Sequence, residues 1–138
     1  MASNFLEILS QLHDHHVDFV IVGGVAAALH GNPRVTFDLD VVPSLAPDSW
    51  TAVVDLLWSL GARPRIPETL ERIRDVEHVR RWQREIDELR QRAVRIVIDG
   101  RTFFVASIDD LIVMKQQAGR PQDLLDIAQL QDIKKRLG

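Results

Sequence analysis

Two pairs of residues in this 138-residue chain have the types and spacing to do chemistry together. The first is Gly23-Gly24, which follows the apolar run ending at Val22. The second is Asp38 and Asp40 in the segment Asp38-Leu39-Asp40-Val41, with thirteen residues between the two pairs. A strand that ends in Gly-Gly and opens a helix exposes unpaired backbone N–H groups, and the positive end of the helix dipole favours a phosphate there. Glycine lets a phosphate approach a backbone that a Cβ would screen. Asp38 and Asp40, two apart on a strand, place both carboxylates on one face, with Cβ atoms about 7 Å apart. Such a pair can hold hard divalent cations roughly 3.5–4 Å apart, an arrangement suited to phosphoryl transfer.

Other chemistries are excluded or weaker. The chain has no cysteine, which removes a disulfide scaffold, a thiol nucleophile and thiolate metal sites. His13, His15 and His16 are spaced by two and one, so they do not share a helix face as a metal pair would, and they read as a solvated helix end. The net charge of −3 gives no overall basic footprint, although a local groove for a polyanion remains compatible with it. Arginines gather between Arg63 and Arg95, interleaved with Glu68, Glu71, Asp75, Glu77, Glu85, Asp87 and Glu88, the pattern of a salt-laced exposed helix. Trp50, Trp58 and Trp82 read as packing residues rather than base-stacking ones. With 46% apolar and 27% charged residues, the chain is expected to form one globular domain over residues 1–138. No apolar run approaches the ~18–20 residues of a membrane span, and the first residues lack a signal-peptide pattern, so the expected location is the cytoplasm.

The elements that must position these groups follow from pattern. Residues from Ser3 to Leu12 form a short capped helix with one apolar face. Val17 to Val22 is nearly all apolar and β-branched, the mark of a buried central strand. Val25 to His30 is predicted as a helix stopped by Gly31-Asn32-Pro33, and Phe37 to Val42 as a second strand. A helix is predicted from Trp50 to Leu60, capped by Asp48 or Ser49. Another is predicted from Pro67 to about Ala93, with an apolar seam at Leu70, Ile73, Val76, Val79, Trp82, Ile86 and Leu89. Glu77 with Arg81, Arg81 with Glu85 and Glu88 with Arg92 are expected i,i+4 pairs on it. Asp99-Gly100 between two β-like runs signals a two-residue hairpin turn. Ser107 with Asp110 starts a helix that ends at Ala118-Gly119-Arg120, and Pro121 opens a final helix to Leu137. The expected fold class is α/β (α+β), a mixed sheet with flanking helices and one long helix.

Taken together, Val22-Gly23-Gly24 and Asp38-Leu39-Asp40 resemble the signature of the DNA polymerase β-like nucleotidyltransferase superfamily. The stretch from Val22 to Val42 is most similar to small stand-alone members, including the AbiEii-type toxins. The C-terminal stretch resembles the same group, in which a helix carrying a Lys precedes an Arg and an Asp-x-x-Asp on the last helix; here these are Lys115, Arg120, Asp123 and Asp126. The resemblance covers roughly residues 17–66 and 94–132. It implies a minimal nucleotidyltransferase core in which Gly23 and Gly24 cradle the phosphates of a nucleoside triphosphate substrate. It also implies that Asp38 and Asp40 ligate Mg²⁺ or Mn²⁺, and that Arg34 and Thr36 reach phosphate or hold the loop. Lys115 and Arg120 would then bring positive charge to the triphosphate, with Asp123 and Asp126 orienting them. The acceptor hydroxyl it implies belongs to a tRNA end or to a partner protein, within a toxin–antitoxin setting that has a cognate partner.

Relatives of this kind carry a third carboxylate on a later strand, and that strand is not visible between Arg65 and Val94. The nearest candidate is Asp87, which falls off the apolar seam and toward solvent. A second reading therefore stands beside the first: a catalytically degenerate nucleotide- or protein-binding module on the same fold. A helix over 67–93 would be ~40 Å long, more than a domain of this size spans, which points to a homodimer packed along its seam.

Overall fold

Val20 and Ile21 are 1% and 0% exposed. Consecutive residues of a strand point to opposite faces, so burial of both requires helical cover on each side of the sheet. The computed structural model describes residues 3–32, 36, 38–61, 69–80 and 83–138, apart from the side chains of Ser3, His78 and Val79. Its order is α1 (Ser3–Asp14), β1 (Phe19–Val22), α2 (Gly23–Leu29), β2 (Asp40–Pro43), α3 (Pro47–Ser59), α4 (Leu70–Arg74), α5 (Val76–Val79), α6 (Gln83–Arg92), β3 (Val94–Ile98), β4 (Arg101–Val105), α7 (Ile108–Ala118) and α8 (Pro121–Leu137). This is the mixed α/β architecture expected from the sequence.

The four strands run in the order β2-β1-β4-β3. β1 pairs antiparallel with β2, setting Val22 opposite Asp40, and parallel with β4, setting Val20 opposite Phe104. The β3–β4 hairpin closes through Asp99 and Gly100, both at positive φ (50° and 75°), as a two-residue turn of this sequence requires. Phe5, Leu9, Leu12, Ile21, Val25, Val53, Phe103, Leu111 and Leu130 belong to one buried cluster that joins α1, α2, α3, α7 and α8 to the sheet. Each such aliphatic or aromatic side chain contributes about 1.5–3 kcal/mol relative to exposure.

Three expectations are corrected. The second strand begins at Asp40, not Phe37, so Asp38 precedes it and the shared strand face applies to Asp40 alone. Thr36 explains the later start: its hydroxyl donates to the Asp38 carbonyl at 3.2 Å and accepts from the Asp38 N–H at 3.4 Å, a local turn that competes with strand pairing. The segment 67–93 is not one long helix. Asp75 is extended at ψ 104°, ends α4, and caps α5 by accepting from the Glu77 N–H at 3.0 Å. The apolar seam is nonetheless used, with Leu89 buried and Leu70, Ile73 and Ile86 half-buried, but by short helices laid against the domain. The ~40 Å rod that suggested a dimer is absent among the described residues, and Trp82 lies outside them. Finally, α3 starts at Pro47, because proline at N1 is preorganised for a helix. Ser49 instead accepts from the Asp18 N–H at 2.9 Å.

The ion pairs also differ from simple helical spacing. Glu88 pairs with Arg84, whereas Arg92 reaches Asp110 on α7 at 2.9 Å. Arg81, in the other two expected pairs, lies outside the described residues. Trp50 packs against the core and donates to the Ile73 carbonyl at 2.7 Å, tying α3 to α4.

At the other end of the molecule, Arg101 clamps Asp14 through Nε and a terminal nitrogen, both at 2.9 Å, and so fastens α1 to β4. Hydrogen bonding from Arg101, with help from His13, holds the Asp14 carboxyl down to about 2. A carboxyl depressed in the folded state contributes stability above its unfolded pKa and loses it as pH falls through the folded value. Urea unfolding of Asp14→Asn should therefore differ from wild type by a constant amount from about pH 7 to about pH 5, with the gap closing between about pH 4 and about pH 2. Parallel stability curves down to about pH 2 would show that the clamp has no such linkage.

Candidate functional site

The glycine pair and the acidic segment meet at the end of β1. Gly23 has φ 68°, a left-handed backbone that glycine accommodates. A Cβ built on it would lie 2.5 Å from Asp40 Oδ2, and one on Gly24 would lie 2.5 Å from Thr36 Oγ1 and 2.9 Å from Thr36 Cβ. The space that glycine frees is therefore already in use by the chain's own side chains. The β1–β2 ladder brings Asp40 there by pairing it with Val22, immediately before Gly23. Asp38 and Asp40 are exposed, and neither carboxylate has a hydrogen bond or ion pair among the described residues. Their oxygens are thus open donors beside a backbone turn. That fits a hard cation such as Mg²⁺, which commonly takes one or two carboxylates and completes its shell with phosphate and water.

A second cluster lies in the α7–α8 hairpin. Gly119 ends α7 at φ 65°, Arg120 caps α8, and the Asp123 carboxylate accepts from the Arg120 backbone N–H at 3.1 Å. Asp123 and Asp126 are each 1% exposed. Lys115 Nζ sits 2.8 Å from Asp126 and 3.8 Å from Asp123, and Arg120 Nε donates to Asp123 at 2.8 Å. Two cations and two carboxylates neutralise one another, as charges buried this deeply must. The Arg120 hydrogen bonds hold the Asp123 carboxyl below its usual range. In return Asp123 pushes the Arg120 guanidinium up, with smaller electrostatic contributions from Asp126 and Asp38. Asp38 thus contributes to the electrostatic surroundings of Arg120. The Lys115 side chain is 12% exposed and committed to its carboxylates; that of Arg120 is 62% exposed.

Among the sequence-predicted residues, the structure brings together Gly23, Gly24, Thr36 and Asp40, and separately Lys115, Arg120, Asp123 and Asp126, with Asp38 hydrogen-bonded to Thr36 in the first set. Arg34 lies outside the described residues. Asp87 does not join them: it is exposed on α6 and accepts from Gln83 at 2.8 Å. Among the described residues, no group of three or more His, Cys, Asp or Glu side chains is placed to hold a metal ion. One positioning residue was not singled out in the sequence. His30, just past α2, donates through Nε2 to the Ala106 carbonyl at 2.8 Å, fastening α2 to the exit of β4. Only its place after an alanine-rich helix hinted at such a role.

A mixed sheet carrying a glycine turn against an acidic segment is the arrangement of a small nucleotidyltransferase core. Residues 2–137 match the family described as nucleotidyltransferase of unknown function (DUF6036), and the chain belongs to that family. No curated protein matches it significantly. Among the described residues, no helix is long and apolar enough to cross a membrane.

The contact between Gly24 and Thr36 makes a prediction about coupling. Gly24→Ala should destabilise the protein by about 1–3 kcal/mol through overpacking, and by clearly less in a Thr36→Gly background, where both clashing atoms are gone. Denaturant unfolding of the four variants measures the coupling. An equal cost in both backgrounds would place the strain elsewhere.

Proposed function

We propose that the chain transfers a nucleoside monophosphate from a nucleoside triphosphate to an acceptor hydroxyl, in the manner of polymerase β-like nucleotidyltransferases. The observation that carries this reading is the seating of the open Asp40 carboxylate directly on Gly23. Family membership supports the reaction class. In the reaction, the acceptor oxygen bonds to the α-phosphorus as the bond to pyrophosphate breaks. A Mg²⁺ or Mn²⁺ ion held by Asp38 and Asp40 would supply charge neutralisation for the phosphates. The turn at Gly23-Gly24 carries no Cβ of its own, which lets Asp40 and Thr36 seat against the backbone where the phosphate chain would pass. Arg120, anchored by Asp123 yet exposed, is a cation among the described residues that can meet the triphosphate. Lys115, neutralised by Asp126, acts by holding the two buried carboxylates together rather than by direct contact in this arrangement. A tRNA end or a hydroxyl of a partner protein as acceptor, and a toxin–antitoxin setting, rest on the sequence resemblance.

One observation favours a second reading, a nucleotide-binding module without turnover. The described residues add no third carboxylate to Asp38 and Asp40, hence no further base for the acceptor proton. Incubation with α-labelled nucleoside triphosphates, Mg²⁺ and cell RNA or protein should label an acceptor, and Asp38→Ala with Asp40→Ala should abolish the label. Transfer that survives the double substitution would refute the assigned site. Calorimetric binding of nucleotide without any transfer would support the module instead.

A further inference from the structure

The end of β1 opposite Gly23 bounds a separate concavity. The registered β1–β4 pairs are Val20 with Phe104 and Ile21 with Val105. Ahead of them, the approach to β1 and the start of β4 border a cavity of about 490 Å³. That volume is in the ~300–1,000 Å³ range of small-molecule sites. Its aromatic residues are Phe19, Phe103 and Phe104, and its polar groups are His13 and His16 at and just past the end of α1, Asp18 before β1, Thr102 from β4 and Arg95 from β3.

Two independent observations distinguish these polar groups from ordinary surface. The first is backbone strain at His16, whose φ is 61°. Its N–H bonds to the His13 carbonyl at 3.0 Å, and the next N–H, of Val17, bonds to the Leu12 carbonyl at 3.1 Å. This is a Schellman turn with His16 at the left-handed position, where glycine is the favoured residue. The chain carries an imidazole on the cavity wall at a position where glycine would fold more easily.

The second is an imbalance of charge. Asp18 is the one carboxylate lining the cavity among the described residues, and Arg90 neutralises it at 3.0 Å while stacking 3.4 Å from the centre of the Phe104 ring. Arg95 lies 5.6 Å from the centre of the same ring and has no ion-pair partner among the described residues. With His13 already hydrogen-bonded to Asp14, the cavity presents one guanidinium without an ion pair, the His16 imidazole and the Thr102 hydroxyl, a donor set that matches the oxygens of a phosphate.

We propose that this cavity is a second ligand site, for a small molecule bearing a phosphate monoester, held by Arg95, His16 and Thr102. It is independent of the glycine–aspartate site and needs no divalent metal. The probes are inorganic phosphate and adenosine 5′-monophosphate, each titrated by calorimetry and by amide NMR in EDTA. Saturable binding is expected, with signals of residues 13, 16, 95 and 102 moving together. Arg95→Ala should weaken it about tenfold or more, the loss expected for one charge-assisted contact. His16→Gly should weaken binding yet raise the melting temperature, since glycine relieves the left-handed backbone; a residue retained only for folding would not show that opposition. Equal affinity for the two probes assigns the phosphate group as the whole determinant, and tighter binding of the nucleotide adds an organic part to the ligand. The proposal is overturned if neither probe binds saturably. It is also overturned if the moving signals belong to residues 22–40, or if both variants bind as wild type does.

Discussion

The interaction on which the candidate site depends is the seating of the Asp40 carboxylate against Gly23. Asp40 Oδ2 sits 2.5 Å from the point a Cβ would occupy, and Thr36 presses on Gly24 in the same way. A Cβ in either place would force the Asp40 or Thr36 side chain to shift. The antiparallel ladder with Val22 opposite Asp40 enforces this contact, and it depends in turn on the buried pair Val20 and Ile21 at the centre of the sheet. A carboxylate and a side-chain-free turn are thereby held together by the same hydrophobic burial that folds the domain.

The α7–α8 hairpin meets a different constraint. Asp123 and Asp126 are among the most buried side chains, and unpaired carboxylates at that depth would destabilise the fold by several kcal/mol. Lys115 and Arg120 neutralise them, but unequally, since the Lys115 side chain is enclosed while that of Arg120 is exposed. The cluster fixes a guanidinium in the field of Asp38 and leaves its outer face accessible. A buried ionic network of this kind gives position rather than net stability. Charge that is already oriented need not reorganise around a ligand.

Much of the fold was legible because its signals are local. The run before Val22, the Asp99-Gly100 turn, the Ser107 cap and Pro121 at the head of α8 each act within a few residues, and each element forms where its signal lies. The segment after Pro67 misled because a helical seam reports only which face is apolar. It carries no information on continuity, and the Asp75 cap, which splits it, looks like one more charged residue in a charged stretch. The strand around Asp38 misled for the converse reason, a threonine turn hidden inside an alternating pattern. Within the candidate site, the glycine and aspartate pairs stand out by spacing, but the contact they make with each other does not. Spacing suggested room for a phosphate, whereas the immediate neighbours are Thr36 and Asp40, a contact that exists only once the sheet has formed.

The proposed function requires a metal–nucleotide complex between the glycine turn and the acidic segment. Paramagnetic broadening tests this most directly: Mn²⁺ is added at substoichiometric amounts to labelled protein with an α,β-methylene nucleoside triphosphate, and the backbone amides are followed by NMR. Amides of residues 22–24, 36, 38 and 40 should broaden first, with Arg120 next and the β3–β4 turn unaffected. Broadening centred elsewhere, at the exposed acids of α6 and α7 for instance, or broadening independent of the nucleotide and unchanged in Asp40→Asn, would contradict it.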